Sequence, residues 1–460
     1  MKFIYLFKDL HKVQLLHIMF FLFSIHLATA QIMSGPMLGY IELRTAKIWC
    51  EVVPGTKTEL IYWKVGNANS TQKAYKNFNK FMNFETQIFD LVNLEPGTKY
   101  MYQIISHPKP KSINATGEFS TQELWKWRKP APDFSFITGS CAYFNERVYD
   151  RPGKPYGNDS SIFISMAKED SDFMLWLGDS WYTREVDYGS EWGLWYRASR
   201  DRNFKVLQPL LKNMSNYAIW DDHDYGPNNE GISYIFKEES RKVFQSYFAN
   251  PTYGMNNQGI YSKVSHNDVD VFFLDNRTWR SSDRMPSYIQ GKINEEKIMY
   301  GKEQLTWLKN ALLSSTATFK IIATGSQIIN AYNKYDCLFQ YPAEYKELME
   351  FLQYSKVNGV VFLTGDIHFS EINKLERDSL YPIYDVTVSP LTSGVTKLTQ
   401  EDRNNKMRIN GALIEEHNYG KLSFLGNDKE RKLVIEFLNK YGESKYKLEI
   451  PASELKNKKQ

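Results

Sequence analysis

The chain has 460 residues, 42% of them hydrophobic and 15% aromatic, with a formal net charge of +4. That length exceeds one small domain and points to two, with enough apolar residues for a substantial core. The near-balanced charge suggests no polyanion-binding groove, so nucleic acid is not an expected partner.

The first thirty residues read as a leader and not as part of the fold. Lys2, Lys8 and Lys12 precede the apolar segment Leu15–Leu27, which ends in Ala28-Thr29-Ala30. These are the charged, apolar and small-residue parts of a signal peptide. His17 and His26 interrupt the apolar part, which is short for a membrane span. There is neither a twin-arginine pair nor a cysteine at the cleavage point. The expectation is a Sec-type signal over 1–30, a secreted or periplasmic product, and no stable span after processing. Five of the eight histidines lie beyond it: His107, His223, His266, His368 and His417. The three cysteines are Cys50, Cys141 and Cys337. An odd number leaves at least one thiol free, and Cys141 is the one expected to be free. A Cys50–Cys337 disulfide would bridge the two domains.

Residues 34–122 read as a small antiparallel β-domain, bounded as 31–125. Ala46–Val52 and Glu59–Val65 alternate apolar and polar residues, as strands half-buried in a sheet do. Leu94-Glu95-Pro96-Gly97-Thr98-Lys99-Tyr100 is a turn feeding a further strand. It resembles the corner of fibronectin-type sandwiches, where a tyrosine hydroxyl ties down the connection. Glu123–Pro132 is polar and proline-bearing, a linker.

From Asp133 the pattern alternates strands with helices, a layered α/β arrangement. Helices are expected at Gly189–Leu211, Glu238–Phe248, Lys302–Leu313 and Ala343–Tyr354. Strands are expected at Val269–Leu274 and Phe319–Ala323. The tail beyond Asn418 reads as a closing set of β-hairpins.

Four apolar runs end alike. Phe134–Ser140 leads into Cys141. Asp172–Leu177 leads into Gly178-Asp179-Ser180-Trp181-Tyr182. Tyr217–Trp220 leads into Asp221-Asp222-His223-Asp224. Val360–Leu363 leads into Thr364-Gly365-Asp366-Ile367-His368. Runs of this length are buried strands, and ligands of open α/β sheets bind beyond their carboxyl ends.

These strand ends supply metal-capable side chains. Asp179, Asp222 and Asp366 carry hard carboxylate oxygens suited to Ca²⁺, Mn²⁺ or Mg²⁺. Cys141, Tyr182 and His368 add a thiolate, a phenolate and an imidazole, and phenolate and thiolate suit Fe³⁺. Two unlike metals are therefore expected, with Asp179 central enough to bridge. Such a pair activates a shared water and clamps a phosphoryl group for in-line attack. His223 at the rim could protonate a departing alkoxide, with Asp224 orienting or charging it.

The same blocks resemble the alkaline phosphatase D family of the metallophosphatase superfamily. The matching stretches are Ser140-Cys141, Gly178–Tyr182, Trp220–Asp224 with Asn228-Asn229, Leu274–Arg280, Gly301–Leu308 and Leu363–His368. They run in the family's order from about 134 to 450. The resemblance implies an α/β (α+β) four-layer metallophosphatase sandwich over 133–450 behind the fibronectin-like domain. It implies Fe³⁺ on Cys141, Asp179, Tyr182 and His368, and one or two Ca²⁺ on Asp179, Asp222 and Asp366. It makes His223 the acid, with Arg277, Arg280 and Asn229 as substrate-binding candidates. Either arginine could instead serve a structural ion pair. The chain departs from the family in lacking a twin-arginine signal and in having Asp224 where Glu is common. The implied activity is hydrolysis of phosphate mono- or diesters. A phospholipase-type diesterase acting on lipid or cell-wall polymer, and a non-catalytic glycan- or surface-binding protein, remain the alternatives.

Overall fold

In the N-terminal third every described element is a strand. The first eight are β1 (Ile32–Ile41), β2 (Ala46–Val52), β3 (Lys57–Lys64), β4 (Asn67–Lys73), β5 (Tyr75–Phe81), β6 (Phe84–Leu91), β7 (Lys99–His107) and β8 (Ser112–Ser120). The expected alternation marks β3, whose residues are buried at every second position. This computed structural model describes residues 32–107, 112–256 and 258–457, and the expected leader lies outside them. Strands β4, β3, β7 and β8 form one sheet in that order. They cover β1, β2 and β6 across a small core that includes Ile48, Cys50, Leu60, Tyr62, Phe89 and Ile104. The tyrosine corner is present: the Tyr100 hydroxyl accepts the Glu95 N–H at 2.9 Å.

The other face of this sandwich is not a separate sheet. Strands β9 (Phe134–Gly139), β10 (Phe173–Leu177) and β11 (Ser215–Ile219) run parallel to one another. Strand β1 joins β11, also in parallel, with Leu38 opposite Ser215. The sheet thus continues through β1, β2, β6 and β5, and its hydrogen bonding crosses the boundary expected near residue 125. At its far end β20 (Asn418–Leu425), β21 (Lys432–Asn439) and β22 (Ser444–Pro451) add the expected hairpins.

A second sheet runs β12 (Ser262–His266), β13 (Val269–Phe273), β16 (Phe319–Ala323), β17 (Val360–Thr364), β19 (Ile383–Thr387) and β18 (Glu371–Leu375). A short outlying hairpin pairs β14 (Tyr288–Ile289) with β15 (Lys292–Ile293). Tyr217 meets Phe273 and Phe424 meets Phe319 between the two large sheets, at 6.1 and 5.2 Å between ring centroids. Strands β13, β16, β17 and β19 are mutually parallel. Two parallel sets packed face to face give one edge where carboxyl ends gather, and the strand-end motifs meet there.

One expectation is corrected and one open question is answered. The helix expected over Gly189–Leu211 ends at Arg202, and a 3-10 turn and the helix Gln208–Asn213 follow. Pro209 lacks the N–H that a continuous helix would need, and is tolerated only in the first turn of a new one. No Cys50–Cys337 disulfide forms, because Cys50 sits in the small core while the Cys337 thiol faces the carbonyls of Ile328 and Asn330. Among the described residues no helix is long and apolar enough to cross a membrane.

Candidate active site

Backbone geometry sets the site before any side chain is considered. Cys141 (φ 62°), Asp179 (φ 52°), Asp366 (φ 69°) and His368 (φ 61°) all adopt the left-handed conformation. Non-glycine residues rarely do so, and when they do they cluster at functional sites. Gly178 makes the approach of two strand ends feasible: a Cβ there would lie 2.6 Å from Asp221 Cβ. The Ser140 hydroxyl accepts the Asp366 N–H at 3.2 Å, joining β9 of one sheet to β17 of the other.

The side chains converge on this edge. Cys141 Sγ lies 3.7 Å from Asp179 Oδ2 and 3.4 Å from the Asp366 carbonyl oxygen. The Tyr182 hydroxyl lies 3.5 Å from His368 Nε2, and the Tyr182 ring stacks on His223 at 4.2 Å. Asp179 Oδ1 accepts the His223 backbone N–H at 3.2 Å. Three groups of potential ligand atoms form, each within 4.8 Å: Cys141, Asp179 and His368; Asp179, Asp222 and His223; Asp221, Asp336 and Asp366. Asp179 belongs to the first two.

Electrostatics make this an unfavourable place for anions alone. Burial, then the neighbouring Asp222 and Cys141, raises the Asp179 carboxyl well above its ordinary range. Burial, then Asp336 and Asp221, does the same to Asp366. Burial pushes Cys141 up to about 12, and Asp221 up to about 7 against the pull of Arg277. At Asp222 burial acts upward, but His223 and Arg277 outweigh it and hold the carboxyl below its usual value. Asp222 Oδ1, Asp221 Oδ2 and His223 Nδ1 are buried without a hydrogen-bond partner. Orphaned acceptors among crowded buried carboxylates are the setting that bound cations relieve. The donor chemistry fits a metal pair.

A family model described as PhoD-like phosphatase matches residues 136–440. The chain belongs to this family. Alkaline phosphatase D of Bacillus subtilis (strain 168) is 24% identical over 334 residues, covering 62% of this chain but only 53% of that protein. A solved structure of PhoD superposes with a TM-score of 0.70 at 17% identity, covering 92% of this chain and 90% of the other. The purple acid phosphatase PPD1 of yellow lupin (Lupinus luteus) gives 0.67 at 11%, covering 90% and 74%. These two likenesses are of fold: mixed sheets flanked by helices.

In this PhoD-like chain all six expected metal-ligand candidates lie at the convergent edge. Asp366 shares its group with Asp221 and Asp336, and not with Asp179 and Asp222 as expected. Asp221 and Asp336 were not among the sequence candidates. Asp221 is visible in the Asp-Asp pair, whereas Asp336 follows no strand-end pattern.

Three further expectations change. Asp224 does not orient the His223 ring. Its carboxylate accepts the backbone N–H groups of Asp179, Ser180, Trp181 and Asp221. Arg277 and Arg280 are buried in ion pairs. Arg277 bonds Asp221 and Asp336, and Arg280 bonds Asp283 and Asp336. Each guanidinium is thus paired with two carboxylates, and those of Arg277 belong to the third group of potential ligand atoms. Asn229 holds Asp222 Oδ2 through its backbone N–H at 2.8 Å, while its side chain is exposed.

Proposed function

We propose that this PhoD-like chain is a secreted hydrolase of phosphate mono- or diesters working through a dinuclear Fe³⁺/Ca²⁺ centre. The observation that carries the reading is the sharing of Asp179 between two groups of ligand atoms. Cys141, Tyr182 and His368 on one side suit ferric iron. Asp222 and Asp366 suit calcium, with Mn²⁺ or Mg²⁺ as substitutes. When bound, the cations supply Lewis acidity toward phosphorus and lower the pKa of the attacking water.

The chain's own groups do the remaining work. Asp224 pins the turn that carries Asp179, so the carboxylate that would serve both ligand groups is held before substrate arrives. His223, stacked on Tyr182, donates its ring proton to the leaving oxygen. Burial lowers its pKa, and the negative charge of a bound phosphate pushes the other way. The exposed Asn229 side chain reaches substrate at the rim. Export by the 1–30 leader, a fibronectin-like domain over 31–125 and a four-layer catalytic domain over 133–450 complete the proposal.

The test is metal analysis of the purified full chain with its visible spectrum, alongside release of p-nitrophenol from p-nitrophenyl phosphate and its bis-ester. The expected results are iron and calcium in the protein, a phenolate-to-iron charge-transfer band, and turnover that Asp179→Ala abolishes. A wild-type protein loaded with both metals that releases nothing would overturn the assignment.

A further inference from the structure

His368 fixes its own tautomer, and the consequence falls on Tyr156. His368 Nδ1 lies 2.6 Å from the Gly394 carbonyl oxygen. A carbonyl only accepts, so Nδ1 carries the proton and Nε2 keeps its lone pair. Nε2 is the nitrogen beside the Tyr182 hydroxyl. The Tyr156 hydroxyl sits 3.1 Å from the same Nδ1. It cannot donate to a nitrogen that is already protonated. Among the described residues it has no other hydrogen-bond partner, so its O–H is an uncommitted donor.

The rest of Tyr156 is fixed at the lip of the cleft. It lies on the loop after β9 and is 47% exposed. Its ring packs edge-on against Tyr143 at 5.0 Å and Tyr182 at 6.4 Å. Tyr143 is itself held, its hydroxyl bonding Asp150 at 2.7 Å and its face covered by the Arg184 guanidinium at 3.9 Å. On the other side the Tyr156 ring rests on Gly394, where an added Cβ would come within 3.0 Å of it. The Tyr156 ring is thus packed on two sides, and its hydroxyl stands next to the candidate metal-ligand histidine.

A phosphate ester also needs donors from the protein for the oxygens that take no part in bond breaking. Arg280 is engaged with Asp283 and Asp336, and Arg277 is held by Asp221 and Asp336 through Nε and Nη2, which leaves only its buried Nη1 without a partner. We infer that the Tyr156 O–H donates to a non-bridging phosphoryl oxygen of the substrate, which makes Tyr156 a catalytic residue. This inference rests on the phosphohydrolase reading. Negative charge on those oxygens shifts as the transition state forms, and a donor held in place beforehand acts on that change.

Tyr156→Phe removes only the O–H and leaves the ring. The measurements are kcat and KM for p-nitrophenyl phosphate and its bis-ester, inhibition by inorganic phosphate, metal content and melting temperature. The full metal-loaded chain is used throughout. The expected fall in kcat/KM is roughly 10- to 100-fold. Phosphate inhibition weakens as well, while iron, calcium and melting temperature match wild type. Activity and phosphate inhibition within about twofold of wild type overturn the inference. So does a loss of iron in step with activity, because Tyr156 would then merely support His368. An active wild type with an inactive Asp179→Ala and an unaffected Tyr156→Phe overturns this inference alone. An inactive wild type overturns it together with the phosphohydrolase reading.

Discussion

Asp224 accepts the backbone N–H of Asp179 at 2.5 Å, and the same oxygen takes that of Asp221 at 3.0 Å. Its other oxygen takes Ser180 and Trp181 at 2.8 and 3.3 Å. Four donors on two acceptor atoms leave no place for an amide. Asp224→Asn turns an NH₂ group toward two N–H donors, which costs about 3 kcal/mol of folding stability. Urea unfolding should read that loss, and the purified variant should retain less metal than wild type because Asp179 is no longer held. A variant with wild-type stability and full metal content would show the clamp to be dispensable.

Arg277 is expected to matter for folding before it matters for substrate. Arg277→Met leaves Asp221 buried without its cation and Asp336 with Arg280 alone, a loss of about 3–5 kcal/mol. The denaturation midpoint measures it. If the arginine were chiefly a phosphate ligand, stability would hold and KM alone would rise.

Glu51 gives stability a pH dependence that can be isolated. It is buried in β2, where burial raises its pKa from 4.5 to about 7 against hydrogen bonds from Tyr247 and Asn203. The folded state therefore binds this proton more tightly than the unfolded state. Its contribution to stability falls as pH rises from 4.5 through about 7, and is level beyond. Glu51→Gln removes the titration. Relative to wild type, the variant should gain up to about 3 kcal/mol between pH 4.5 and pH 8. Unfolding curves that stay parallel across that range would rule this out.

The strand ends were legible because each obeys one local rule: an apolar run that must be buried stops at residues that cannot be. Trp176-Leu177-Gly178-Asp179 shows this within four residues. The ion pairs were not legible in the same way. Arg277 finds Asp221 and Asp336 across 56 and 59 positions, and no periodicity links residues so far apart. Tyr156 was missed because it lies on a loop, and its meaning depends on a carbonyl at Gly394 that sequence does not bring near. β1 carries no apolar–polar alternation to mark it, and nothing local names its pairing partner. Leu38 meets Ser215 only once β11 has formed. The role expected of Asp224 failed because the four amides it serves come from two different strand ends.

That single parallel pairing has a price in modularity. With β1 removed, Ser215–Ile219 would become a bare sheet margin, five residues buried in the intact molecule and lined with unanswered amides and carbonyls. The front of the chain is therefore a fitted edge-cover for the half that carries the candidate site as well as an appendage to it, and trimming the gene at the linker should yield a sticky, self-associating remnant instead of a smaller folded protein.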